Sequence, residues 1–150
     1  MKILDKSEYR FSEVTSSNIP RLRLAVSSLS IDCLIKGAII ESCIAIDKRI
    51  LAITCDDVPH EDFLHISLID QDSSIIDEIS LGSIYSTGNF SNLNVIDDTS
   101  LTFNFIDNAL WKLTALTNPN IHIPVLSDPV GAHRDLKLKK LIQIEKFKNI

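Results

Sequence analysis

The chain has 150 residues, 45% apolar and 23% charged, with a formal net charge of −5 at neutral pH. These values exclude a disordered or collagen-like polymer, and they allow a single domain that needs neither disulfides nor a structural metal to build its core. The acidic balance argues against direct contact with nucleic acid or an anionic membrane surface.

Residues 1–6 turn polar within five positions and lack the apolar stretch of a secretory signal. No apolar run approaches the length of a membrane span. Cys33, Cys43 and Cys55 are odd in number and show no C-x-x-C spacing. They read as buried free thiols in a reducing compartment, so a cytoplasmic location is expected.

In chain order, residues 9–14 suit a first short strand. Leu22, Leu24 and Val26 then alternate with polar or small residues. Residues 38–46 form a nearly continuous apolar run, fit for a strand covered on both faces. Asp47, Lys48 and Arg49 turn the chain into a strand over 50–55. In 63–69, Leu64, Ile66 and Leu68 fall on one face and His65 and Ser67 on the other. Residues 70–74 are a turn, and 75–81 the next strand. Weaker strands are expected at 83–90 and 93–96.

Residues 101–116 predict a hairpin. A two-residue loop at Asp107 and Asn108 sets Phe103 against Lys112. An odd loop centred on Asn108 pairs Phe105 with Trp111, Phe103 with Leu113 and Leu101 with Ala115. Because a one-residue slip moves every side chain to the other face, the second register is favoured, with Phe103, Phe105, Trp111 and Leu113 in the core. Pro119, Pro124 and Pro129 make 118–131 irregular or an edge segment. The basic tail 134–148 fits either a helix face (Leu138, Leu141, Ile142) or a final alternating strand, and the strand is preferred. The sum is an all-β fold, a mainly antiparallel meander forming a sandwich or open barrel.

Charge is distributed unevenly. Residues 1–49 carry eight Lys+Arg against six Asp+Glu, and residues 112–150 carry seven against three. Between Arg49 and Lys112 there is no lysine or arginine, yet eleven acidic residues: Asp56, Asp57, Glu61, Asp62, Asp70, Asp72, Asp77, Glu78, Asp97, Asp98 and Asp107. Such a one-signed block steers basic partners toward itself.

Motifs for catalysis or cofactors are sparse. The cluster Asp56, Asp57, His60, Glu61 and Asp62 holds hard oxygen ligands, but it reads as a solvated turn. Residues 70–74 begin like a calcium loop, yet Ile75 stands where that loop needs glycine and Leu81 where it needs glutamate. No G-x-S-x-G elbow or phosphate-binding glycine loop occurs. Neither cofactor nor metal is expected. The potential general bases are His60, His65, His122 and His133. An enzyme or ligand-binding domain using His60 or His133 with carboxylates near 56–62 or 128–135 (Asp128, Asp135) is one alternative. A structural subunit using 38–46 as its interface is another.

In size, charge and composition, including the Asn- and Ser-rich run 84–92, the chain resembles the small immunity proteins of bacterial contact-dependent growth-inhibition systems. No motif carries the resemblance, so no residue roles transfer with it. It implies a non-enzymatic inhibitor that binds a basic toxin domain, a nuclease above all, and occludes its active site. The expected contact residues are Asp56, Asp57, Glu61, Asp62, Asp97 and Asp98, with Asp70 and Asp72. Alternation of loops in a meander is expected to bring Asp97 and Asp98 to the same end as 56–62.

Overall fold

A computed structural model describes residues 1–14, 18–58, 61–83, 88–121, 127–135 and 138–147. Among these residues thirteen strands follow one another: β1 (Lys2–Ile3), β2 (Arg10–Val14), β3 (Arg21–Val26), β4 (Ile31–Lys36), β5 (Ile39–Ile46), β6 (Arg49–Cys55), β7 (Leu64–Ile69), β8 (Ile75–Leu81), β9 (Ser91–Val95), β10 (Ser100–Phe105), β11 (Ala109–Ile121), β12 (Ala132–His133) and β13 (Lys139–Phe147). Among the described residues all ladders are antiparallel, in keeping with the alternating sequence. The only helical turn among the described residues is the 3-10 segment Ser27–Leu29, and no described helix is long and apolar enough to cross a membrane.

Three sheets stack as a layered sandwich. The central sheet has the order β1-β5-β6-β7-β8-β12, with β13-β11-β10-β9 and β2-β3-β4 forming the other two. The period of two explains the layering. Leu51, Ile53 and Cys55 of β6 join Phe103, Trp111, Leu113 and Ile142 in one core. Their neighbours Ile50 and Ala52 join Leu22, Leu24 and Ile35 in a second core on the opposite face. All six residues of β7 are therefore buried. β5 is covered on both faces only toward its C-terminus. Cys43 enters one core and Ile44 and Ile46 the other, whereas Ile39 stays 40% exposed.

Several sequence expectations need correction. The hairpin pairs Phe103 with Trp111, Leu101 with Leu113 and Phe105 with Ala109. Its loop is Ile106, Asp107 and Asn108, centred on Asp107 and not on Asn108. All three residues are left-handed, with φ of 48°, 53° and 56°. Asp and Asn tolerate that region, but a β-branched Ile does so only under strain, offset here by burial of its side chain. A shift of two residues preserves the faces, so Phe103, Phe105, Trp111 and Leu113 are all buried as expected. Trp111 donates its indole N–H to the Phe105 carbonyl at 2.8 Å, which fixes the shifted register.

For 118–121 the edge alternative holds. β11 passes Pro119 and ends at Ile121, pairing Asn120 with Lys140 and Ile121 with Lys139 after a register shift. Proline is accommodated there because the exposed end of β11 has no second partner strand alongside it. The final strand is present as β13. In 83–90, the described residues Ser83 and 88–90 are not strand, while 84–87 lie outside the described residues. The weaker candidate near 93–96 is β9, which belongs to an outer sheet.

Candidate functional site

The position of Asp98 decides how the carboxylates group. β6 runs from the turn at Asp47 and Lys48 to Asp56, and β7 returns to Asp70. Asp98 lines a cleft of about 630 Å³ together with Asp47, Arg49 and Asp70. Its carboxylate is also 3.8 Å from the Met1 ammonium. Asp97 and Asp98 thus lie at the Asp70 end, a strand length of roughly 20 Å from Asp56 and Asp62. The expected single patch of six carboxylates does not form. The eight residues divide into Asp56, Asp57, Glu61 and Asp62 at one end and Asp70, Asp72, Asp97 and Asp98 at the other.

The two groups differ in what holds them. At the first end, Asp56 accepts from His65 Nε2 at 2.8 Å. Asp62 Oδ1 accepts the backbone N–H groups of Asp56 and Asp57 at 3.1 and 3.2 Å. Burial raises the Asp62 pKa, opposed by those amides and reinforced by the Asp56 and Asp57 charges. Much of this acidity is spent closing its own loop. Next to it the Cys55 thiol, 3.3 Å from Glu41, is pushed up to about 12, chiefly by burial. Pro59 and His60 lie outside the described residues.

At the second end, Asp97 caps a turn. Its Oδ1 accepts the N–H groups of Thr99 and Ser100, both at 2.8 Å, and their hydroxyls as well. These bonds, the Thr99 amide foremost, hold its pKa down at about 2. Asp72 is lowered chiefly by the Ser74 hydroxyl at 2.5 Å. Asp97 therefore stays charged well into acid. Asp98 is fully exposed. The cleft beside them has Ile46, Ile76, Pro119 and Leu141 in its lining together with Thr99, Thr117 and the carboxylates, a surface of mixed polarity. Arg49 also lines it, but donates to the Leu116 carbonyl at 2.9 Å.

A third set of polar residues lies on the central sheet itself. On the face covered by β2–β4, the end near Ile50 and Ile69 is apolar, while the end near Asp56 carries Thr54, His65, Ser67, Glu78 and Ser80. Lys36 Nζ pairs with Glu78 at 2.6 Å, and Ser67 donates to Glu78 at 3.0 Å. The His65 ring also meets Ser80 Oγ at 2.7 Å through Nδ1. Sequence reasoning named His65 but missed Ser80; only the β7–β8 register, which sets them opposite each other, reveals the pair.

The alternative acid–base site at 128–135 does not assemble. Asp128 is an ion partner of Arg134 at 3.1 Å, and His133 Nε2 meets the Gly82 carbonyl at 2.9 Å. Asp135 lines a small cavity with His133. Arg134 also binds Asp77 at 2.6 Å in full burial, so the acidic block is neutralised here from outside itself. His122 lies outside the described residues. Among the described residues, no three His, Cys, Asp or Glu side chains are arranged to hold a metal ion.

Compared with known proteins, the chain matches no family model, no curated sequence and no solved structure.

Proposed function

We propose that the chain is a binding protein that captures a basic partner at the Asp70–Asp98 end by occlusion and not by chemistry at that end, as an immunity protein occludes a cationic nuclease toxin in the cytoplasm. The observation that carries this reading is the cleft itself. Asp47, Asp70 and Asp98 border a lining that includes Ile46, Ile76 and Leu141. A lysine or arginine side chain has the matching form, an apolar stem that packs and a charged head that needs a carboxylate. Asp72 and Asp97, kept ionised by their own turns, add to the field around it. Long-range attraction of this kind speeds encounter, and desolvated charge pairs then slow release.

Reversing charge tests the reading, and the choice of residue matters. Asp97 and Asp56 are poor choices because each holds backbone or side-chain partners of the fold. Asp70→Lys with Asp98→Lys is the informative double variant, and Asp57→Lys with Glu61→Lys is its counterpart at the opposite end. In cells producing a basic nuclease domain that the wild type neutralises, the 57/61 variant also protects growth and the 70/98 variant does not. Full protection by the 70/98 variant would remove the cleft from the mechanism.

A further inference from the structure

We propose that Ser80, His65 and Asp56 form a nucleophilic site for esters of small acyl groups, distinct from the acidic cleft at the other end of the sheet. The elements needed for an activated serine converge here from three strands or their ends. β6 ends at Asp56, β7 supplies His65 and β8 supplies Ser80. His65 Nε2 lies 2.8 Å from Asp56 Oδ1, and Nδ1 lies 2.7 Å from Ser80 Oγ. A carboxylate at Nε2 selects the tautomer that carries its proton there, leaving Nδ1 as acceptor for the Ser80 hydroxyl. Base, orienting acid and nucleophile are thus defined by which neighbour each nitrogen meets, with Nδ1 in the role of the base.

The imidazole is held in place. It is buried, stacked on the Phe63 ring at a centroid distance of 6.5 Å, and carried by a strand paired on both sides. Ser80 opens instead onto a cavity of about 190 Å³, whose lining includes Lys36, Glu78, His133 and Arg134. That space suits an acyl group of a few carbons. The Lys36 ammonium, held by Glu78 at 2.6 Å, lines the same cavity and is the proposed source of positive charge for a developing oxyanion.

In the reaction the Ser80 Oγ–H proton passes to His65 Nδ1 as Oγ bonds the acyl carbon. The ester C–O bond then breaks, and the leaving alkoxide takes that proton as an alcohol. Water, deprotonated by Nδ1, cleaves the acyl–Ser80 bond, releasing the acid and restoring the hydroxyl.

The test uses a small alkyl fluorophosphonate on the full chain, read by intact mass and peptide mapping. A single adduct on Ser80 with loss of fluoride is expected, and Ser80→Ala abolishes it. His65→Gln slows labelling by about 100-fold or more, the usual contribution of a general base. Asp56→Asn slows it while leaving the imidazole present, which separates orientation from bulk, and it decides the matter if His65→Gln does not fold. Circular dichroism and Trp111 emission establish that each variant is folded. A folded wild type without a Ser80 adduct, or equal labelling rates in wild type and Asp56→Asn, overturns the proposal. Neither result bears on the acidic cleft, which shares none of these residues.

Discussion

Removing the Asp77 carboxylate should be among the most damaging single changes this fold can suffer. Its Oδ2 accepts from Arg134 Nη1 at 2.6 Å and from the backbone N–H groups of Leu141 and Ile142, both at 2.8 Å; Oδ1 accepts from the Glu78 N–H. One side chain thereby ties β8 to β13 and to the loop before it. Asp77 and Arg134 side chains are 1% and 2% exposed. Breaking a buried pair costs about 3–5 kcal/mol where the surviving charge is left unpaired, and the cost is reduced here because Arg134 keeps Asp128 at 3.1 Å. Asp77→Ala also orphans buried amides, each worth about 1–3 kcal/mol when unsatisfied, so its cost lies within or above the pair range. Arg134→Ala is milder, since Asp77 retains three backbone donors. Urea unfolding followed by circular dichroism measures both, with the order Asp77→Ala worse than Arg134→Ala. The reverse order, or a loss below about 1 kcal/mol for Asp77→Ala, refutes the assignment of this carboxylate as the tie.

Trp111→Ala should cost roughly 3–5 kcal/mol, the range for a fully buried aromatic, and wild-type emission should be blue-shifted and resist iodide; ready quenching contradicts the packing. Asp97 and Asp62 should give opposite responses to acid. Asp97 has a folded pKa lowered to about 2, so its stabilisation is complete above the unfolded value near 3.8 and is lost as pH falls toward 2. Asp62 has a raised pKa, so the folded state is penalised while it is charged and relieved as it protonates. Asp97→Ala should therefore destabilise more at pH 7 than at pH 2, while Asp62→Asn, which keeps the acceptor oxygen, should stabilise at pH 7; chemical denaturation at the two pH values checks both. Cys43 and Cys55, with thiols pushed up to about 12, should react with a disulfide reagent only on unfolding, and rapid modification of the native chain contradicts their burial.

Fold class was legible because burial follows a period of two. Leu64, Ile66 and Leu68, and likewise Phe103, Phe105, Trp111 and Leu113, reach the core by alternation alone. Register was less legible. Ile106 reads as a strand residue, and nothing local announces that it adopts φ of 48° in the turn. The proline at 119 left two readings open, since proline marks loops and strand edges alike, and the edge is the one observed. For the site, the acidic composition was plain but its grouping was not. Placement of Asp97 and Asp98 depended on whether 83–90 formed a strand, and one strand more or fewer exchanges the ends of a meander. Asp77 and Ser80 gave no signal at all, because their partners Arg134 and His65 are supplied by pairing across strands.

The most direct measurement is capture from the native host on the immobilised chain, compared with its Asp70→Lys, Asp98→Lys variant at about 0.15 M and 0.5 M salt. Screening acts over about 8 Å at the lower concentration and over shorter distances at the higher. A basic protein should be retained by the wild type at low salt, released at high salt, and absent from the variant. A partner that is retained equally by both forms, or that carries no excess of lysine and arginine, contradicts electrostatic capture at the Asp70–Asp98 cleft.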